Sequence, residues 1–138
     1  MKDLAVMLWD RARDALRAAQ HVLPVSPDTA ASRAYYAAFY AVSALFAAKG
    51  RTFRKHTSVE AAVHRDLVKP GAWPAALGEA YSRLVELRSV ADYGQEDRTD
   101  AQKAHKAILA AEEILEAVAR QNPDVFALKD GPDEAPQT

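Results

Sequence analysis

The chain has 138 residues, no cysteine and a formal net charge of −1 at pH 7. This length fits a single domain, and the absence of cysteine excludes disulfides and cysteine-based metal sites and suits a reducing compartment. Because the net charge is close to zero, nucleic-acid binding would need a local basic patch, since the surface as a whole is not basic.

The longest uncharged run, residues 34–48, is shorter than the roughly 20 apolar residues that span a bilayer. The chain also opens with acidic residues, such as Asp3 and Asp10, and lacks the basic-then-apolar pattern of a signal peptide. We therefore expect a soluble, cytoplasmic protein that does not associate with membranes.

Two helices are predicted in the first third of the chain. Residues 2–23 repeat apolar side chains at a helical interval, which predicts an amphipathic helix that ends at Pro24. Ser26 can cap a second helix, Pro27 suits its first position, and Gly50 ends it. The second helix is apolar nearly all round, so we expect it to be the central helix of a bundle.

A short third helix and a longer fourth helix follow. Thr57 or Ser58 can cap the third helix, which reaches about residue 69 before a Pro-Gly pair. The fourth helix runs from about residue 74 to Tyr93 and is followed by a glycine.

A fifth helix opens with Thr99 as its cap and Gln102 at the capping-box position. No alternating β pattern or repeat is present, so we predict an all-α bundle of four to five helices with short connections. This bundle would occupy residues 1–121. Residues 122–138 are acidic and rich in proline, which predicts a disordered tail.

Arg88 interrupts an apolar stripe on the predicted fourth helix. An arginine is rarely buried without a partner, because an unpaired buried ion costs several kcal/mol. Asp92, four residues later, could form a helical ion pair worth about 0.3–0.5 kcal/mol if exposed. An external anion or a partner surface could instead satisfy the arginine, and both explanations are open. The stripe consists of Leu77, Tyr81, Leu84 and Ala91.

Three segments, in this order, resemble the prokaryotic branch of the HEPN domain family: SRAYYAAFYAVSALFAAKG (32–50), KHTSV (55–59) and ELRSVADYG (86–94). The resemblance implies an up-and-down bundle of four to five helices that is often dimeric. Many members are metal-independent ribonucleases in which arginine and histidine motifs of two copies meet to form one RNA cleft. Others are encoded beside minimal nucleotidyltransferases, as toxin–antitoxin modules or as substrate-binding subunits.

The resemblance carries over residue by residue only in part. Arg88 matches the family's arginine, whereas Tyr93 stands where the ribonuclease members carry histidine. A phenol with an ordinary pKa near 10 is a poor general base at neutral pH. The predicted catalytic set is Arg88, Asp92 and Tyr93, and the tyrosine favours a binding subunit over a ribonuclease.

Arg33, Tyr36 and Tyr40 share one face of the second helix. They could line a nucleotide or RNA cleft beside Arg88, with rings for stacking and a guanidinium for phosphate. The alternative is that the tyrosines belong to the core, an interpretation that we favour for Tyr35 and for Phe39.

His56 belongs to a short basic loop, residues 51–56. It could bind phosphate or replace the missing acid or base, although a solvated loop is the more ordinary interpretation. The histidine and carboxylate spacing does not match a metal site, and no glycine-rich phosphate loop is present, so we predict neither metal nor cofactor.

The sequence therefore favours a HEPN-type protein that binds nucleotide or RNA. We expect a homodimer, or a complex with a minimal nucleotidyltransferase in a two-gene, toxin–antitoxin-like module. Two alternatives are a metal-independent endoribonuclease toxin that uses Arg88 and a purely structural helical bundle.

Overall fold

The computed structural model describes the backbone of residues 2–93 and 99–128 and the side chains of residues 3–90 and 99–128. This part of the chain holds five α-helices and no strand, which confirms the all-α bundle. A π-helical segment, Val63–Val68, follows α3 directly. The helices are α1 (Lys2–Val22), α2 (Pro27–Ala47), α3 (His56–Ala62), α4 (Ala75–Tyr93) and α5 (Ala101–Gln121).

Helix α2 is the centre of the bundle and contacts α1, α3, α4 and α5. Most of its buried side chains are alanines, which let neighbouring helices approach closely. Its start is as predicted, because the Ser26 hydroxyl accepts a hydrogen bond from the Thr29 amide and Pro27 is the first helical residue. Among the described residues, no helix combines the length and hydrophobicity that crossing a membrane requires.

Helices α3 and α5 begin at different caps from those predicted. Lys55 occupies the cap position of α3 without a side-chain hydrogen bond, so the prediction of Thr57 or Ser58 is wrong. The cap of α5 is Asp100, whose carboxylate accepts from the Lys103 amide at 2.7 Å. Thr99, the predicted cap, instead lies one residue before this position, where it is buried and its amide donates to Asp28 Oδ1 at 2.8 Å.

The residues after α5 continue to contact the bundle. Phe126 is 1% exposed and its ring lies 5.2 Å from that of Trp9. The Trp9 indole also donates to the carbonyl of Ala127 at 2.8 Å. Phe126 and Ala127 thus contact Trp9 of α1. Residues 129–138 lie outside the described part, and their disorder stays a prediction.

Candidate functional site

Arg88 lies among aromatic side chains where α2, α3 and α4 meet. Its Nη2 donates a hydrogen bond to the Tyr36 hydroxyl at 3.1 Å. Its Cζ is 5.5 Å from the ring centroid of Tyr35 and 5.6 Å from that of Tyr36, within the range of cation–π attraction. The partly buried guanidinium is therefore held against two rings of α2.

His56, the first residue of α3, completes this arrangement. Its Nδ1 lies 3.0 Å from the Tyr35 hydroxyl, and its ring stacks on Phe39 with a centroid distance of 4.2 Å. The residue is nevertheless exposed. We call Tyr35, Tyr36, Phe39, His56 and Arg88 the Arg88 cluster. Since Nδ1 faces the protein, a ligand would meet the opposite nitrogen, Nε2.

The electrostatics of the Arg88 cluster favour a neutral histidine. Although His56 as a whole is exposed, its ring is partly covered by Phe39, and this partial burial, together with the nearby charge of Arg88, lowers the pKa of His56 below its ordinary value. Burial raises the pKa of Tyr35 to about 12, although the charge of Arg88 opposes this shift. At neutral pH the imidazole of His56 can accept a proton, whereas Tyr35 stays a phenol.

Arg33 and Tyr40 extend the Arg88 cluster along α2 through Tyr36. The Arg33 guanidinium lies 4.8 Å from the centroid of the Tyr36 ring, and the Tyr36 and Tyr40 rings are 6.0 Å apart. Arg33 and Tyr40 also line a shallow groove between α1 and α2. The structure thus connects all five of the predicted residues whose side chains it describes: Arg33, Tyr36, Tyr40, His56 and Arg88.

Two predicted site residues cannot be placed in this arrangement. The side chains of Asp92 and Tyr93, near the end of α4, lie outside the described residues. Their predicted roles as catalytic residues stay predictions.

Sequence reasoning missed that Tyr35 and Phe39 contribute to the cluster. Tyr35 is 1% exposed, as expected of a core residue, yet its hydroxyl meets His56. A phenol inside an apolar stripe is a weak sign of such a role, because a buried hydroxyl usually has a hydrogen-bond partner. Its partner, 21 residues away, could not be identified from spacing along one helix.

The basic loop before α3 is partly tied to the bundle. Arg51 donates to Asp66 at 2.9 Å and lies over the ring of Phe46 at 4.8 Å. Hydrogen bonds from Arg65 and Arg51 lower the pKa of Asp66 to about 2. Arg54 and Lys55 are exposed, as expected for a solvated loop.

A second polar network joins α3 and the π-helical segment to α4. The Ser82 hydroxyl donates to Glu60 Oε2 at 2.7 Å and lies 2.8 Å from His64 Nε2. The charge of Glu60 contributes to the raised pKa of Tyr35. Within the described part of the chain, no three histidine, aspartate or glutamate side chains are grouped so that they could hold a metal ion.

Comparison with known proteins identifies the family to which this bundle belongs. The sequence model of the HEPN domain matches residues 5–121. A UPF0332 protein of Thermotoga maritima is 38% identical over 121 residues, covering 86% of this chain and 92% of the relative. The chain belongs to the HEPN domain family.

Proposed function

We propose that this HEPN protein binds nucleotide or single-stranded RNA at the Arg88 cluster. The observation that carries the proposal is the contact of the partly buried Arg88 guanidinium with the rings and hydroxyl of α2. A guanidinium supplies paired donors for a phosphate, and neighbouring aromatic rings supply surfaces on which bases stack. One small surface thus offers groups for both parts of a nucleotide.

The other residues around Arg88 suit the same ligand. Arg33, which also lies over the Tyr36 ring, provides a second cation for the sugar-phosphate backbone. Tyr36 and Tyr40 are partly exposed, so a base can reach their rings. We expect the phosphate to contact Arg88 and the base to lie along α2.

Binding is tested by fluorescence anisotropy with a labelled single-stranded RNA. Arg88→Gln should weaken binding about 10- to 100-fold, since a hydrogen bond to a charged group contributes about 1.5–3 kcal/mol. Arg17→Gln is the matched control because Arg17 is an exposed arginine of α1 that pairs with Asp14. Equal affinity of a folded Arg88→Gln variant and the wild type would refute the proposal and favour a structural bundle.

We further propose that the protein is cytoplasmic and acts as a homodimer or beside a minimal nucleotidyltransferase in a two-gene, toxin–antitoxin-like module. Family membership supports this context. Two copies facing across a twofold axis would place two Arg88 clusters along one RNA. Light scattering after size exclusion is done on the protein alone and on the protein mixed with the nucleotidyltransferase. In at least one of these samples the mass should be at least twice that of the chain. A monomer in both samples would contradict this proposal.

One observation favours a second function, metal-independent RNA cleavage. The neutral His56 is held by Tyr35 close enough to Arg88 for that charge to lower its pKa. In such a reaction His56 would accept the proton of a ribose 2′-hydroxyl, and Arg88 would stabilise the charge on the phosphorane. Tyr93 would then not need to act as the base.

Cleavage is tested by incubating the purified protein with RNA in the presence of a chelator. Under this alternative, His56→Gln and Arg88→Gln each lose most of the activity while Arg17→Gln retains it. If both variants cleave as fast as the wild type, the activity comes from a contaminant. RNA binding without cleavage would leave the binding proposal standing alone.

A further inference from the structure

A second groove lies on the opposite side of α4 from Arg88, between α4 and the first turns of α5. Its volume is about 510 Å³, within the range of small-molecule sites. A smaller cavity of about 60 Å³ shares Arg83, Leu87 and Lys106 with it and extends it along α4 and α5. Successive α-helical residues are about 100° apart, so Arg83, Leu87 and Val90 face away from Arg88. We call this the α4–α5 groove.

Among the described residues that line the α4–α5 groove, most of the charges are positive. Arg83, Lys103 and Lys106 line it from both helices, and Glu86 is the carboxylate among its described lining residues. All three cations are exposed. The ion pairs within the described part of the chain involve other arginines, those at positions 17, 51 and 65. Three cations that converge on one groove favour an anion, and a dianion more than a monoanion.

The wall of the α4–α5 groove also holds a buried hydroxyl. Thr99 is 5% exposed, and its Oγ1 has no hydrogen-bond partner among the described residues. Its backbone is fixed because its amide donates to Asp28 Oδ1. A buried hydroxyl without a partner costs free energy, which a ligand oxygen would recover.

The other lining residues that the structure describes are apolar. Leu87 is partly buried and Val90 is 37% exposed, and both lie beside the cations. The backbone amides in the first turn of α5 contribute less to binding an anion, because the Lys103 amide already donates to the Asp100 carboxylate. Recognition must therefore come from the side chains, which provide cations, one hydroxyl and an apolar surface.

We propose that the α4–α5 groove binds a small phosphomonoester with an aromatic or other apolar body. The phosphate contacts Arg83, Lys103 and Lys106 and accepts a hydrogen bond from Thr99. The apolar body lies on Leu87 and Val90. This site does not depend on the Arg88 cluster, which lies across α4, so the chain has two separate anion sites.

The test is an NMR titration of the full chain with phenyl phosphate, observed through the methyl groups of Leu87, Val90 and Thr99. We expect saturable shifts of these methyls, and weaker binding of inorganic phosphate, which lacks the apolar body. The double variant Lys103→Gln, Lys106→Gln should weaken binding at least tenfold. Lys69→Gln, which removes an exposed lysine elsewhere, should leave it unchanged.

Thr99→Val keeps the shape of the side chain and removes the hydroxyl, and it should weaken binding about fivefold. Should this variant fail to fold, the lysine variants still test the site. The proposal is overturned if the groove methyls do not shift, or if the double lysine variant binds as the wild type does. Loss of these shifts in Arg88→Gln would also overturn it, while leaving RNA binding at Arg88 intact.

Discussion

His56 combines exposure to solvent with a fixed ring. The Tyr35 hydroxyl meets its Nδ1, Phe39 stacks on one side of the ring, and the charge of Arg88 acts on it from α4. Each contact restricts either the orientation or the protonation of the imidazole. The histidine therefore presents Nε2 to a ligand mostly in its neutral form at pH 7.

Removing the charge of Arg88 should raise the pKa of His56. Arg88→Gln removes the electrostatic contribution, whereas the contribution of burial remains, so the pKa should move towards but not reach its ordinary value near 6.5. The pKa is measured by NMR as the pH dependence of the His56 Cε1–H shift. Arg17→Gln should leave this curve unchanged, and an unchanged curve in Arg88→Gln would mean that Arg88 does not act on His56.

The lowered pKa of His56 also determines the direction in which the stability of the protein changes with pH. Because the folded pKa of His56 is lowered, the unfolded chain binds more protons at acidic pH. The contribution of His56 to stability is therefore present above about pH 6.5 and is lost as the pH falls below it. His56→Gln should make the melting temperature less dependent on pH between about 7 and 5, and an unaltered dependence would contradict this sign.

At the scale of elements, the π-helical segment is docked on α4 at Gly78. A Cβ atom at position 78 would lie 2.7 Å from Val68 Cγ2 and 3.2 Å from both Cε1 and Nδ1 of His64. Neither neighbour moves easily, since valine is stiff and the His64 ring is held by Ser82 at 2.8 Å. Glycine is therefore needed here for close approach of the two elements.

Gly78→Ala should destabilise the protein by about 1 kcal/mol. The gain in helix propensity is about 1 kcal/mol, while overpacking at this contact costs about 1–3 kcal/mol. The change is measured by urea denaturation monitored by circular dichroism. Glu79→Ala, at an exposed position of the same turn, should stay within about 0.5 kcal/mol of the wild type. A variant at position 78 that is more stable than the wild type would show that the π-helical segment can shift.

The elements show which parts of the fold can be predicted from sequence. The start of α2 depends on Ser26 and Pro27, which are adjacent to the helix, so local reasoning succeeds there. At the start of α5 the cap is Asp100, and the amide of the preceding Thr99 is bonded to Asp28, 71 residues away. A local pattern contains no information about such a contact.

Over the whole molecule, the candidate site follows from how α2 is placed. Arg88 could be identified because a cation breaks an apolar stripe, and Arg33, Tyr36 and Tyr40 because they share one helix face. The bond between Tyr35 and His56 requires α2 and α3 to be packed together, so its geometry was not predictable. Position along one helix indicates candidate residues, whereas the packing of α2 against α3 and α4 determines which of them meet.

The bundle also extends beyond α5, and this predicts the effect of shortening the chain. A chain that ends at residue 121 loses Phe126 from its place on Trp9 and the hydrogen bond from Trp9 to Ala127. Because removing a buried phenylalanine side chain costs about 3–5 kcal/mol, this chain should be destabilised by that order. A chain that ends at residue 128 should keep the stability of the full chain, as predicted for a disordered tail.

Single substitutions separate the Phe126 contact from the effect of shortening. Phe126→Ala should cost about 3–5 kcal/mol, like the shorter truncation, whereas Phe126→Leu retains most of the apolar volume and should cost about 1.5 kcal/mol or less. Urea denaturation, followed by the fluorescence of Trp9 and Trp73, gives the free energy of unfolding of the two shortened chains and of the two Phe126 variants. Equal stability of the full chain and the chain that ends at residue 121 would mean that the bundle of α1–α5 does not need residues 122–128.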